Sequence, residues 1–237
     1  MNQPRIVVLT GAGISAESGV RTFRDNGGLW EEHRVEDVAT PDAWAFDPEM
    51  VWRFYQARRR QLLEVQPNGA HLALALLQKN MKQFTLITQN VDDLHERGGS
   101  SDVIHMHGEL RTLRCETSQR SEVRMQASDL TDDVSLCSCC ANPVRMRPDI
   151  VWFGEIPMHM EAILNAVETC EVFIVVGSSG HVYPAAGLVD QANNAGARTI
   201  LVNLEAPVNA SAFDEILLGP AGELLPQLVE RLLNDND

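Results

Sequence analysis

Basic residues are in short supply: 19 Lys plus Arg stand against 33 Asp plus Glu, for a formal charge of −14. General nucleic-acid binding needs a cationic face to neutralise phosphates, and long-range repulsion opposes approach by so acidic a chain, so that class is disfavoured. A lysine-rich protein segment suits the same charge as a partner. No apolar run approaches the roughly 18 residues needed to span a bilayer. No charged-then-apolar leader precedes the first apolar run, which starts at Ile6 after Met1-Asn2-Gln3-Pro4, so a cytoplasmic location is the simplest expectation. Internal repeats and low-complexity segments are missing as well. The cysteines do not fit a disulfide framework, being five, an odd number, with four close in sequence. That arrangement points to metal ligands in a reducing compartment.

The 237 residues, 44% hydrophobic and 22% charged, can bury a substantial core, and they suffice for one large domain or one domain with a smaller insertion. Four short apolar runs rich in β-branched residues stand out: Ile6 to Leu9, Phe84 to Ile87, Val172 to Val176 and Thr199 to Val202. None alternates polar with apolar, so they read as strands buried on both faces, as in a parallel sheet. Helical patterns lie between them at Pro48 to Val65, Gly69 to Lys79, Met158 to Thr169, Ala185 to Ala195 and Glu223 to Leu233. Strands alternating with helices predict an α/β fold built from βαβ units. Residues 110–149 break the alternation: they read as strand-poor, hold four of the five cysteines, and form a plausible inserted module.

Small or polar residues follow every strand, at Thr10-Gly11-Ala12-Gly13-Ile14-Ser15, Thr88-Gln89-Asn90-Val91-Asp92, Gly177-Ser178-Ser179-Gly180 and Asn203-Leu204-Glu205. Open α/β sheets bind ligands outside the carboxyl ends of their strands. Gly11 to Ala16 fits G-x-G-x-x-A, where glycines let backbone amides approach a pyrophosphate and the next helix N-terminus adds partial positive charge. The acidic residue that dehydrogenases carry on a second strand about 20 residues on is missing, because residues 21–45 hold no strand-like run. Hydride transfer is therefore disfavoured.

Gly11-Ala12-Gly13-Ile14-Ser15-Ala16-Glu17-Ser18-Gly19-Val20 with Thr22-Phe23-Arg24 closely resembles the signature of the sirtuins, the NAD-dependent protein deacylases. Thr88 to His95 looks like their second motif and His107-Gly108 like their catalytic pair, while Phe153-Gly154-Glu155, Gly177-Ser178-Ser179, Val182-Tyr183-Pro184-Ala185 and Asn203-Leu204-Glu205 complete the series in family order. Arg21 departs from the proline common in the first motif, which should alter loop stiffness and not chemistry. The resemblance implies a Rossmann-like parallel sheet with helices on both faces and a smaller inserted zinc-ribbon and helical lobe. Residues 1–30, 67–108 and 150–237 would form the first, and residues 31–66 and 109–149 the second. It implies NAD contacts from Gly11, Ala12, Gly13, Ile14, Ser15, Glu17, Ser18, Thr22, Phe23, Arg24, Trp30, Gln89, Asn90, Val91, Asp92, Gly177, Ser178, Ser179, Asn203, Leu204, Glu205 and Ala221. His107 would be the general base, a role that suits imidazole because its pKa lies near working pH. His105 reads as structural, and Asn90 and Asp92 could also cap the next helix. The acyl-lysine protein substrate would lie between Phe153-Gly154-Glu155 and Val182-Tyr183-Pro184, adding a strand.

Val51, Tyr55, Arg58, Leu62 and Val65 follow helical spacing and make one stripe, so Arg58 sits on an otherwise apolar face beside Tyr55. A guanidinium there either snorkels to water or meets an anion, and its fork matches a carboxylate. Tyr55-x-x-Arg58, with Ala39 as a small residue, resembles the acyl-recognition motif of class III sirtuins, the bacterial CobB type. This implies succinyl- or malonyl-lysine as substrate alongside acetyl-lysine. Arg59 and Arg60 read as a solvated face. Cys115 with Cys137 and Cys140 suggests a structural zinc site, but Ser118 stands where the family has its second cysteine, leaving Cys139 or water as fourth ligand. Cys170 reads as core. Two other functions compete: an ADP-ribosyltransferase, which would not need the Tyr55 and Arg58 pair, and a catalytically silent NAD-binding regulator, which would have lost Asn90, Asp92 or His107.

Overall fold

β-branched runs that end in glycine or a polar residue favour short strands buried on both faces. In the computed structural model these runs lie side by side in a six-stranded sheet. Residues 3–20, 29–30, 33–180, 182–207 and 209–235 are described. The chain enters at β1 (Ile6–Thr10), passes a one-turn helix α1 (Gly13–Ala16), and leaves the sheet for a ribbon of β2 (Leu29–Trp30) and β3 (His33–Arg34). Helices α2 (Val35–Val38), α3 (Pro41–Phe46) and α4 (Pro48–Leu62) follow, and α5 (Gly69–Asn80) leads back into β4 (Phe84–Thr88). Then come α6 (Leu94–Arg97), β5 (Ile104–His105), and an antiparallel sheet of β6 (Gly108–Cys115), β7 (Ser121–Val123) and β8 (Met146–Ile150). The remainder alternates through α7 (Met160–Thr169), β9 (Val172–Val176), α8 (Leu188–Asn194), β10 (Arg198–Asn203), β11 (Glu215–Leu218) and α9 (Ala221–Asn234). No helix among the described residues is long and apolar enough to cross a membrane.

The large sheet is parallel throughout, in the order β11-β10-β9-β1-β4-β5. Successive strands depart to opposite sides of β1, which makes its carboxyl end a topological switch point. Thr10 is in register with Thr88 on one side and Val176 on the other, and Val176 with Val202. The four loops that follow therefore start at one height. Side chains of β1 alternate between two cores: Ile6 and Val8 meet Leu74 and Leu77 of α5 and Leu225 and Leu228 of α9, while Val7 and Leu9 meet Ile163 of α7 and Leu188 of α8. A third core joins α4 to the antiparallel sheet through Val51, Trp52, Tyr55, Leu110, Leu113 and Trp152.

The four expected strands are the inner four. The two edge strands went unanticipated because β5 has only two residues and β11, Glu-Ile-Leu-Leu, only one that is β-branched. The strand-poor reading of residues 110–149 is overturned. β6 alternates buried with half-exposed residues, the signature of a one-sided sheet, but the alternation slips at Thr112–Leu113, where the ladder to β8 shifts register. The reading of Arg59 as solvated is also wrong: it is only 1% exposed and donates to Gln56 Oε1 at 3.2 Å. Arg60 is exposed and pairs with Asp132 at 2.7 Å.

At the start of α5, the Asn68 amide donates to His71 Nδ1 at 3.2 Å, which puts the ring proton on Nε2. The ring is fully buried, edge-on to His95 at 5.0 Å, and burial pushes its pKa down to about 4. Between the ordinary value of 6.5 and about 4, the unfolded state binds this proton and the folded state does not, so stability falls as pH drops through that window. The loss is about 1.4 kcal/mol per pH unit for one such group. His71→Asn keeps an acceptor but removes the titration. The gap in Tm between parent and variant should narrow from neutral pH down to about 4; a constant gap would mean that folded His71 takes up its proton as readily as the unfolded chain.

Candidate active site

Gly11 and Gly13 sit where the ends of β1 and β9 nearly touch. A Cβ on Gly11 would lie 2.8 Å from the Gly177 carbonyl oxygen, and one on Gly13 2.7 Å from Gly177 Cα. Their amides are already used, Gly11 N donating to Val176 O and Gly13 N to Gly177 O, both at 2.9 Å. Ile14 N and Ser15 N bond back to Gly11 O and Ala12 O. With α1 only four residues long, these glycines serve first to close the two strand ends together, and a helix dipole adds little.

Behind this contact runs a buried polar relay. His95 Nε2 lies 2.9 Å from Thr10 Oγ, which donates to Thr88 Oγ at 2.8 Å, and Thr88 Oγ in turn accepts from Asn90 N at 3.0 Å. Because Thr10 spends its proton on Thr88, His95 must donate through Nε2. The relay turns the loop after β4 toward α1. There Asn90 Nδ2 donates to Ser15 Oγ, and Ser15 Oγ to Asp92 Oδ2, each at 3.0 Å. Ser15, Asn90 and Asp92 are all buried. Asp92 also accepts from Leu94 N, two residues on, at 3.2 Å, and burial raises its pKa.

Gln89 bridges to the β9 loop, its Nε2 donating to Ser178 Oγ at 3.1 Å, while its carbonyl accepts from His107 Nδ1 at 3.0 Å. A carbonyl only accepts, so His107 Nδ1 carries the proton and Nε2 keeps its lone pair. Burial lowers the His107 pKa, and the bond to Gln89 only partly offsets this. His105 differs. Its ring contacts two acceptors, Glu96 Oε1 at 2.8 Å and Asn90 O at 3.2 Å; burial opposes its charge, yet Glu96 outweighs that and raises the pKa. His105 is thus tied to Glu96 and to the Asn90 carbonyl beneath the loop. The turn after His107 demands glycine, since Gly108 has φ +79° and a Cβ there would collide with the Asp149 carbonyl.

On the other side, Ala39 is buried and its carbonyl accepts from Phe153 N at 2.9 Å. Tyr55 and Arg58 are 1% and 4% exposed on one face of α4, so Arg58 does not reach out to water. Phe153, Val182 and Tyr183 are exposed. Glu155 is occupied: its carboxylate takes two bonds from Arg147, at 2.8 and 2.9 Å, and one from Trp152 N at 2.8 Å. Arg147 and Trp152 escaped the sequence reading; the only signal was their proximity to Phe153-Gly154-Glu155.

The remaining expected residues are less convergent. Glu17 accepts from Gly222 N at 3.0 Å, next to Ala221 at the start of α9. Ser18 accepts from Asn68 at 3.0 Å, and Val91 packs at the edge of the α4 core. Asn203 donates to Ser178 O at 3.2 Å and to Glu205 O at 2.9 Å, whereas Leu204 is exposed. Ser179 follows in the same loop and is half-buried. Thr22, Phe23 and Arg24 lie outside the described residues, as does the side chain of Trp30.

Far along β6, the sulfurs of Cys115, Cys137, Cys139 and Cys140 all lie within 4.8 Å of one another. The Cys115–Cys140 and Cys139–Cys140 separations are 3.7 and 3.9 Å. Four thiolates around zinc at about 2.3 Å stand about 3.8 Å apart, so the set fits a tetrahedral ion. Ser118 Oγ lies 3.0 Å from Cys139 Sγ, and the Ser118 hydroxyl and amide lower the Cys115 thiol to about 6.

The Sir2 family model matches residues 11–184, from the first glycine loop to Pro184. A curated relative from Shigella flexneri, named NAD-dependent protein deacylase, is 55% identical over 236 residues, covering 98% of this chain and 85% of the relative. Among solved structures, a Sir2 homolog–NAD complex is similar with a TM-score of 0.90 at 40% identity, covering 98% of this chain and 91% of that one. Sir2 bound to acetylated peptide is similar with a TM-score of 0.80 at 29% identity, covering 96% and 92%. With more than half its length matched, and with the glycine contact, the Asn90 loop and His107 drawn to one sheet end, the chain belongs to the Sir2 family.

Proposed function

We propose that this chain is an NAD-dependent protein-lysine deacylase of the cytoplasm, acting on acetyl-lysine and preferring acidic acyl groups such as succinyl and malonyl. The observation that carries the reading is His107, whose Nδ1–H is fixed by Gln89 O so that Nε2 is left as a base beside the loop of Asn90 and Asp92. Residues 1–30, 67–108 and 150–237 hold the dinucleotide, and residues 31–66 and 109–149 form the smaller lobe.

When bound, NAD would supply a ribose carbon open to attack by the acyl oxygen as nicotinamide leaves, and one water would complete cleavage of the amide to free lysine and O-acyl-ADP-ribose. Asn90 and Asp92 offer a donor and an acceptor, the pair that a carboxamide needs. Ser15, bonded to Asn90 and Asp92, and Gln89, bonded to Ser178, form a polar wall. His107 Nε2 removes a proton from a ribose hydroxyl. Exposed Phe153, Val182 and Tyr183 flank the extended peptide, whose modified lysine points toward Ala39, Tyr55 and Arg58. A buried guanidinium stabilises a carboxylate far more than a methyl group. Zinc, held by Cys115, Cys137, Cys140 and Cys139, ties the hairpin of the smaller lobe together.

Incubation with NAD and a succinyl-lysine peptide should yield free nicotinamide and a lighter, deacylated peptide. A heavier peptide would mark an ADP-ribosyltransferase, and no nicotinamide a silent regulator. His107→Ala should cut turnover by about 100- to 10,000-fold while NAD still binds. Since the base must be neutral and burial depresses its pKa, activity in the parent should be lost only as pH falls below 6.5; loss setting in above that value would contradict the assignment. Arg58→Met should cost about 2–3 kcal/mol with succinyl-lysine and less with acetyl-lysine, read as kcat/KM for each peptide. Metal analysis should find zinc depleted in Cys139→Ser but retained in Ser118→Ala; retention in both would exclude Cys139 as the fourth ligand.

A further inference from the structure

Phe153 sits on a four-residue turn that is closed from both ends. Glu155 N donates to Trp152 O at 2.9 Å, and Trp152 N donates back to Glu155 Oε2 at 2.8 Å. Gly154 takes the third position of the turn with φ +91°, where a side chain would be strained. The closing carboxylate is gripped by Arg147 of β8, with Nη1 on Oε1 at 2.8 Å and Nη2 on Oε2 at 2.9 Å, the paired geometry that a guanidinium fork allows. Arg147 is itself fixed, because Nη2 also donates to Ile150 O at 2.8 Å and the guanidinium lies 3.5 Å from the centroid of the Trp152 ring. Burial opposes the charge on Glu155, yet the bonds from Arg147 and Trp152 outweigh it and hold the pKa below the usual carboxylate value. Val151 N donates to His107 O and Phe153 N to Ala39 O, both at 2.9 Å, and neither bond involves Arg147. Phe153 stays 53% exposed above the clamp.

We infer that Arg147 is a positioning residue for the peptide: through Glu155 it holds the 152–155 turn in the shape that pairs with an extended acyl-lysine segment. This rests on the deacylase reading above. Both Glu155 oxygens are engaged inside the protein, so Glu155 serves through the turn and not by offering its charge to the substrate. Lysine cannot replace Arg147, since an ammonium is a point charge and does not bridge two oxygens as a fork does. Nor can Arg114, whose Nη2 is 3.9 Å from Glu155 Oε1. Once the clamp is loosened, the peptide must order the turn as it binds, and that cost falls on peptide affinity. NAD meets other loops, at Gly11, Asn90 and Ser178, so its binding is spared. A merely structural role would act differently, because fewer folded molecules lower kcat and leave both KM values unchanged.

The test measures kcat and KM, for NAD and for one acetyl-lysine peptide, in the parent, Arg147→Lys, Glu155→Gln and the double variant Arg147→Met with Glu155→Gln. An acetyl group keeps the test clear of Arg58. KM for the peptide should rise in all three variants, by about tenfold in the double variant. Turnover at saturating peptide and KM for NAD should stay within about twofold of the parent, the pattern of a lost binding interaction. Arg147→Met alone would strand the Glu155 carboxylate, whereas the double variant leaves no charge to strand. If the double variant still folds poorly, Arg147→Lys keeps the charge and reads the fork by itself. An unchanged KM for the peptide with a lower kcat, or a KM for NAD that rises as much as that for the peptide, would overturn the inference and leave the deacylase reading standing. A parent that releases no nicotinamide in the presence of the peptide would sink both together.

Discussion

At the carboxyl ends of β1 and β9 the two backbones approach so closely that Gly11 and Gly13 leave no room for a side chain against Gly177. Register does the rest: with Thr10, Thr88, Val176 and Val202 level across the sheet, the four loops that carry the polar residues start at one end of it. A larger residue at the contact would push β1 and β9 apart, while the Gln89–Ser178 bond ties the β4 loop to the β9 loop. The glycines thus act through packing before they act on any ligand.

Buried ionisable groups are handled in two ways around the cleft. Some remain neutral: His71 and His95 are driven down by burial, and His107 follows with one nitrogen fixed. Others sit within bonding distance of a carboxylate, as His105 does with Glu96 and Arg147 with Glu155. The two histidines on either side of Met106 show the contrast most clearly. His107 faces a carbonyl and keeps the lone pair of its other ring nitrogen, while His105 faces a carboxylate. The chain turns at Met106 and His107 between β5 and β6, so the partners and not the spacing assign their roles.

Much of this was legible in the chain itself. The four inner strands and the sheet-end loops followed from β-branched runs ending in glycine or polar residues. The edge strands did not, because two residues in β5 and the mixed Glu-Ile-Leu-Leu of β11 carry too little pattern. β6 was hidden by its register shift, which breaks the alternation that would have announced it. Arg59 was misread because one charged residue following another looks like a solvated face; only the packing of α4 against the 129–132 segment shows that it is buried.

The amino-acid sequence by itself determined the class of fold, the family motifs and the identity of the candidate base, since these depend on local pattern and residue type. Only the tertiary structure decided which nitrogen of His107 is free, that Glu155 belongs to Arg147, that Cys139 stands where Ser118 leaves a gap, and that Trp152 points its N–H at Tyr55. Each of these is a pairing between residues far apart in the chain or between atoms of one ring. Hydrogen-bond direction depends on which acceptor the folded chain brings within about 3 Å, and no periodicity encodes that.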